Sequence, residues 1–398
     1  MAATVGKPIV GAKAASNPLN RPEVRRVVYQ VILVVVLAAF FWEIINNAIT
    51  NLGRQNVTAG FEFLDRTAGF DISQSLIDYS AQSTFRQAIL VGLANTLLVA
   101  ASGIVLATLV GFVMGIARLS SNWLIAKVAS AYVEVARNIP LLLQLFVWYF
   151  AVAINLPPTR QAIEMPGGGY LSVRGLYIAK PVPQSGFDWV LAAIAVGVIA
   201  SIAFARHARR EQMRTGRRLP VLWATLALVV GLPLVVFVLA GRPMTLDYPQ
   251  LRGFNFAGGI AIQPELFAMV LGLVFYTGGY IAEVVRAGIV GVNKGQKEAA
   301  RALGLSNGMM MRLVVIPQAL RIIIPPLTSQ YLNLTKNSSL GIAIAYPDLT
   351  HTLANTTLNQ TNQAIETIGI LMAIYLTISL VTSAFMNWFN RRMALVER

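Results

Sequence analysis

The chain has no cysteine, which excludes disulfides and thiolate metal sites. It has only two histidines, His207 and His351, too few for a histidine-rich metal site. Charge is scarce. Asp, Glu, Lys and Arg make up 12% of the 398 residues, about half the share of an ordinary soluble domain. No G-x-x-x-x-G-K-[ST] sequence occurs, and "GVNKGQK" at Gly291–Lys297 has glycines and lysines at the wrong spacing to cradle phosphates. ATP hydrolysis is therefore not expected in this chain. A small-residue cleavage site is missing after the first apolar run, so that run reads as a retained span. No internal repeat is evident, which leaves an inverted-repeat carrier without direct support.

What is present is apolar sequence in long runs: 56% of residues are hydrophobic, and the mean hydropathy is +0.62. Crossing a bilayer as a helix takes about 20 apolar residues. Six runs are clear: Val27–Ile45, Ala88–Ala117, Pro140–Leu156, Phe187–Ala205, Pro220–Ala240 and Glu366–Phe389. Pro264–Val285 is a seventh, with Glu283 and Arg286 at its end. Val314–Thr335 is weaker, because it holds Arg321, Pro325 and Pro326. Charge placement decides in its favour. Lys7, Lys13, Arg21, Arg25 and Arg26 place the N-terminus in the cytoplasm, and eight spans then put 118–137, 206–218, 294–312 and the 391–398 tail on that side as well. The net charge of +15 is thereby accounted for by basic loops flanking apolar spans, and nucleic acid is not an expected partner.

Pro325 and Pro326 remove backbone donors and are expected to bend their span, which a membrane tolerates where neighbours or water satisfy the freed carbonyls. Asn333, Lys336, Asn337, Ser338 and Ser339 follow, a polar set expected to face the protein interior and candidate lining for a translocation path. A snorkelling Lys336 is the competing reading.

"EAARALGLSNGMMMRLVVIP", Glu298–Pro317, sits between two spans. Lys297–Leu303 is rich in helix formers, and Ala299, Ala300 and Ala302 give it a slim face. Gly304 is expected to end that helix in the left-handed conformation. Ser306 is placed to cap a second short helix through Met311, on which Met309, Met310 and Met311 offer adaptable contacts. The EAA triplet, Gly304 four residues after it and the Val314-Val315-Ile316-Pro317 ending resemble the EAA loop of ABC importer permeases. In that family the short helix docks on a cytoplasmic ATPase subunit and carries its closure to the membrane helices.

Further stretches resemble the polar amino-acid branch of these permeases: Arg137, Pro140 and Gln144; Tyr280, Ala282, Glu283, Arg286 and Gly288; Lys336, Ser339 and Leu340. Compact members lack the segment 157–262, and an insertion of this kind is similar to the long permease subunit of general L-amino-acid importers of the Aap/Bzt type. The expected fold is an all-α integral membrane protein of about eight transmembrane helices, with a type I, MetI-like permease core and two extra inserted helices. The expected segments are 1–84 (tail, first helix and outer loop), 85–156 (core), 157–262 (insertion) and 263–398 (core, with the loop at 298–317).

The resemblance implies a permease subunit, without enzymatic chemistry of its own, that carries L-amino acids across the bacterial inner membrane. Its implied partners are a second, related permease, a homodimer of ATP-binding subunits that hold the ATP and Mg, and a periplasmic binding protein. No cofactor is expected in this chain. Glu283 and Arg286, three apart on one helical face, are a candidate gate or a plain interfacial ion pair. Arg137 and Gln144 are expected to pack at the cytoplasmic end. An ion-coupled secondary carrier is the alternative, although Glu43 and Glu283 lie too near span ends to serve as its midplane carboxylate.

Overall fold

A computed structural model describes residues 22–54, 60–217 and 219–393. The expected basic tail, with Lys7, Lys13 and Arg21, lies outside these residues, as do Arg218 and residues 394–398. Seven described helices are long and apolar enough to cross a membrane, and a bent pair makes an eighth span. Each of the eight expected spans coincides with one of these to within a residue or two or falls inside it.

The first span lies in α1 (Pro22–Arg54), whose residues 29–47 are exposed and predominantly apolar. Such a helix is stable only with lipid or another chain around it. The core is built on α2 (Phe85–Ala117) and α8 (Pro264–Val290). A capping box starts α2: the Thr84 hydroxyl accepts from the Gln87 amide, and the Gln87 side chain accepts from the Thr84 amide. Small residues line the seam between the two helices. A Cβ on Gly111 would stand 2.4 Å from Ile281, and one on Gly115 would stand 2.6 Å from the Ala282 carbonyl. Backbones therefore meet almost directly, the packing that small residues permit inside membranes.

The stretch 118–137, read from sequence as a basic loop, is mostly helix. α3 (Trp123–Asn138) is capped by Asn122, whose Oδ1 accepts from the Leu124 amide at 2.9 Å. Its Ala129, Val133 and Ala136 are buried at helical spacing. Ala136 fits against Gly279 of α8, and the Tyr132 hydroxyl donates to the Phe275 carbonyl at 2.9 Å. The basic residues occupy the other faces and masked this amphipathic pattern. The chain then turns by 108° into α4 (Leu141–Phe146), which continues as π and 3-10 turns to Asn155. Pro140 disfavours helix at Ile139 and sets the corner. Buried Gln144 holds it, donating to the carbonyls of Ala136 (2.9 Å) and Ile139 (2.8 Å).

The insertion forms a helical hairpin, α5 (Phe187–Thr215) against α6 (Val221–Leu226) and α7 (Leu232–Leu239). Its helices agree with the expected pair. The connections add eight short strands that the sequence reading did not foresee, because runs of three or four residues between glycines and prolines carry no periodicity. β1 (Ile163–Met165), β2 (Gly169–Ser172), β3 (Gly175–Ile178) and β8 (Ile260–Ile262) form one antiparallel sheet. β4 (Lys180–Pro183) pairs with β5 (Met244–Asp247), and β6 (Gln250–Arg252) with β7 (Asn255–Ala257). The spanning part is helical throughout.

After α8 come α9 (Lys294–Ala302), α10 (Asn307–Met310), a π turn at Met311–Val315, and α11 (Ile316–Asn337). α11 continues as helix through Pro325 and Pro326, and the break of 108° in the core is the one at Pro140. A 3-10 segment, Ser338–Ile344, a π turn, His351–Thr357, and α12 (Leu358–Thr361) lead to α13 (Ala364–Met393).

Candidate coupling loop and polar cavity

The Glu298–Pro317 stretch folds as a joint. Asn293 caps α9 through Oδ1, which accepts from the Gly295 amide at 2.8 Å. The helix ends in a Schellman turn: the Leu305 amide donates to the Ala300 carbonyl (3.2 Å) and the Gly304 amide to the Arg301 carbonyl (2.9 Å). Gly304 has φ +74°, the left-handed value that this turn demands. Ser306 caps the next helix, its hydroxyl accepting from the Met309 amide. Pro317 lies in the first turn of α11, directly after the π turn.

The faces of the joint differ from the expected ones. Ala300 is buried against the chain's own core, whereas Glu298 and Ala299 are exposed. Of the three methionines, Met310 is buried, Met311 is half-buried and only Met309 is exposed. The expectation of three outward contacts fails because α10 and the π turn rotate Met310 inward, toward the core cluster that also holds Val315 and Ala319. The exposed apolar surface comes instead from Leu303, 80% exposed beside the glycine, and Leu313, 62% exposed. Neither was singled out from sequence, although a leucine at a helix C-terminus next to a glycine joint is a legible signal. Lys297 Nζ donates to the Ile289 carbonyl at 3.4 Å and ties the joint to the end of α8.

Beside the joint, Glu283 gathers three arginines. Arg286, its expected partner, donates through Nη2 at 2.6 Å and Nε at 3.3 Å. Arg118 adds a direct ion pair, and Arg137 stands further off at 3.8 Å. The pair read from sequence is thus half of a four-residue cluster that joins α8 to α3 and to the end of α2. Arg137 also lies over the Tyr280 ring, 5.4 Å from its centroid.

Tyr280 connects the cluster to a polar cavity of about 220 Å³ lined by Tyr276, Thr277, Tyr280, Gln330, Asn333 and Asn337. These are neutral hydrogen-bonding groups on facing turns of α8 and α11. Asn333 and Asn337 were expected in such a lining. Lys336 is exposed and outside it. Ser338 is fully buried, donating to the Thr335 carbonyl at 2.8 Å, and Ser339 donates to the Lys336 carbonyl at 2.8 Å. The step of about 100° between neighbours on α11, and of about 120° in the 3-10 segment that begins at Ser338, separates these residues into different faces.

A second buried polar group escaped the sequence reading. Asp348, between the spans, is fully buried, with Oδ1 accepting from the His351 amide at 2.8 Å and Oδ2 from the Tyr375 hydroxyl at 3.3 Å. Burial pushes its carboxyl up to about 6, against the opposing pull of those hydrogen bonds.

Residues 213–395 match the family of binding-protein-dependent transport system inner membrane components. The chain is 52% identical over 377 residues to the general L-amino acid transport system permease protein AapQ of Rhizobium johnstonii, covering 95% of this chain and 94% of that protein. It is 50% identical to YhdX of Escherichia coli, a putative amino-acid ABC transporter permease, over 95% of this chain and 96% of that one. BztB of Rhodobacter capsulatus, a glutamate/glutamine/aspartate/asparagine transport system permease, is 40% identical over 92% and 93% of the two chains. All three are named as permease proteins, and nothing in these likenesses supports an ion-coupled carrier. With likeness of this extent, the chain belongs to the amino-acid permeases of binding-protein-dependent ABC transporters.

Proposed function

We propose that this chain is one half of the membrane pathway of an ATP-driven importer of L-amino acids, with α9 and its glycine joint as the point where an ATPase subunit docks. The observation that carries this reading is the joint itself. α9 is a short helix with Glu298, Ala299 and Leu303 exposed, ended by a Schellman turn and joined through it to α10 and the π turn, which run on into the helix whose Asn333 and Asn337 line the cavity. A push on α9 is therefore delivered to α11.

The chain binds and gates and carries out no covalent chemistry. ATP favours one state over the other only through the partner that binds it. The further partners are a second, related permease, a homodimer of ATPase subunits and a periplasmic binding protein that delivers the amino acid. Both termini and α9 lie on the cytoplasmic side, in keeping with the basic 206–218 and 294–312 segments. The neutral amide and hydroxyl lining of the cavity suits passage of a zwitterion without tight retention.

The test is assembly followed by uptake. The chain is co-expressed with a candidate ATPase and a second permease and purified through the ATPase. Wild type should co-purify, and Glu298→Lys or Gly304→Val should lower both recovery and stimulated ATP hydrolysis. Full assembly and uptake with both variants would falsify the docking role. Uptake by this chain alone in liposomes, driven by an ion gradient, would replace the reading by that of a secondary carrier.

A further inference from the structure

We infer that the outward face of α5 is a binding site for anionic phospholipid headgroups, made by Arg206, Arg209, Arg210 and Arg214. The inference does not depend on the transported substrate.

α5 is longer than its apolar part. Phe187–Ala205 is a membrane span, and the helix then continues without a break to Thr215. At about 1.5 Å per residue the whole helix is about 43 Å long, the thickness of a bilayer with its headgroups. The arginines therefore begin where hydrocarbon ends.

Their placement around the helix is the decisive feature. With about 100° between successive residues, Arg206, Arg209, Arg210 and Arg214 fall within about 140° of arc, with Met213 in the middle. The residues that α5 buries, Val190, Ala193, Gly197, Ser201 and Ala208, lie on the opposite side. That side meets α6 and α7 so closely that a Cβ on Gly197 would stand 2.1 Å from the Leu228 carbonyl. Further up the helix, the arginine side carries exposed Val196, Ile199 and Ile202. One continuous face thus presents apolar side chains along the span and guanidiniums beyond it. A solvated topogenic loop needs no such alignment.

The guanidiniums are also free. Among the described residues none of the four is ion-paired; the single acid of the segment, Glu211, stands about 60° beyond Arg214 around the helix and shares the lining of their cleft. They surround an open cleft of about 670 Å³ together with His207, Glu211 and Met213, the last 84% exposed; four guanidiniums against one carboxylate leave the cleft strongly positive. Leu222 and Trp223, at the start of α6 just across the turn, are exposed as well. Tryptophan at the edge of a span, apolar side chains and arginine together suit the headgroup layer: the stems lie in the acyl boundary and the guanidiniums form bidentate pairs with phosphate.

The full chain, purified in detergent, is titrated with dioleoylphosphatidylglycerol or dioleoylphosphatidylethanolamine, and bound lipid is counted by native mass spectrometry. Wild type should prefer the anionic lipid, and inorganic phosphate should not displace it. R206Q/R209Q and R210Q/R214Q should each lower the preference by about fivefold or more. The corresponding lysine variants should keep most of it, and R25Q/R26Q on α1 should leave it unchanged. An unaltered preference in both glutamine pairs overturns the inference. So does displacement by free phosphate. So does loss of a co-purifying ATPase with lipid preference intact, since the stripe would then be a protein dock.

Discussion

Replacing Glu283 by glutamine isolates the four-residue charge cluster. The carboxylate is 26% exposed, and its partners Arg118, Arg286 and Arg137 are 17%, 34% and 42% exposed. Breaking a fully buried pair costs about 3–5 kcal/mol, and an exposed pair contributes about 0–1 kcal/mol. This cluster lies between those limits. Arg118 decides the magnitude, because its Nε already has no partner and its pairing with Glu283 offsets its burial. The expected loss for Glu283→Gln is about 2–3 kcal/mol. Arg137→Gln removes the longest contact and the most exposed partner, and should cost less than about 1 kcal/mol. Thermal unfolding of the purified protein should show a fall of about 5 °C for the first and about 1 °C for the second. In double-mutant cycles Glu283 should couple strongly to Arg118 and hardly to Arg137. Equal shifts for Glu283→Gln and Arg137→Gln, or equal coupling, would show that the weighting by burial and distance is wrong.

Gly304→Asn should be tolerated better than Gly304→Val: a Cβ there meets open space, so the penalty is conformational, about 1–2 kcal/mol for a residue that resists positive φ, and circular dichroism with ATPase co-purification checks it. Met310→Ala should lower thermal stability by about 2 kcal/mol or more, whereas exposed Met309→Ala should leave stability unchanged and be read in coupled ATP hydrolysis. Asp348 has its folded pKa raised, so its contribution to stability is fully present below about pH 4 and is lost as pH rises through about 6; unfolding temperature should fall by the equivalent of up to about 3 kcal/mol over that window, and Asp348→Asn should flatten the profile. Gly111→Leu should separate α2 from α8 and cost at least about 1–3 kcal/mol, seen as lost monodispersity in detergent.

The spans were legible because hydrophobic length is a strong signal, and the Ser306 cap and the Gly304 turn were legible because each rests on one residue's local chemistry. The core helix α3 was not, because its basic residues imitate a loop while only Ala129, Val133 and Ala136 betray a buried face. Met310 was misplaced because orientation within three consecutive methionines depends on the π turn after them, which no local preference announces. Arg118 and Arg137 were invisible as partners of Glu283, since their pairing crosses 165 and 146 residues of chain and follows from packing alone. Lys336 and Asn337 show the finest limit: neighbours in sequence, they are separated by a single helical step that decides which of them meets the cavity.

The strand pairings at the base of the insertion have an architectural consequence. The segment leaves the core at Pro157, whose carbonyl accepts from the Val173 amide, and returns through β8, paired to β3 in the register Leu176–Ile262. Its entrance and exit are thus stitched to each other, while α5–α7 pack chiefly on themselves. A module closed at its own neck places little demand on the frame that bears it, since joining two nearby points takes only a short connection. The segment behaves as a removable cassette: a few residues bridging Leu156 to Gln263 would leave a compact permease with α4 and α8 undisturbed.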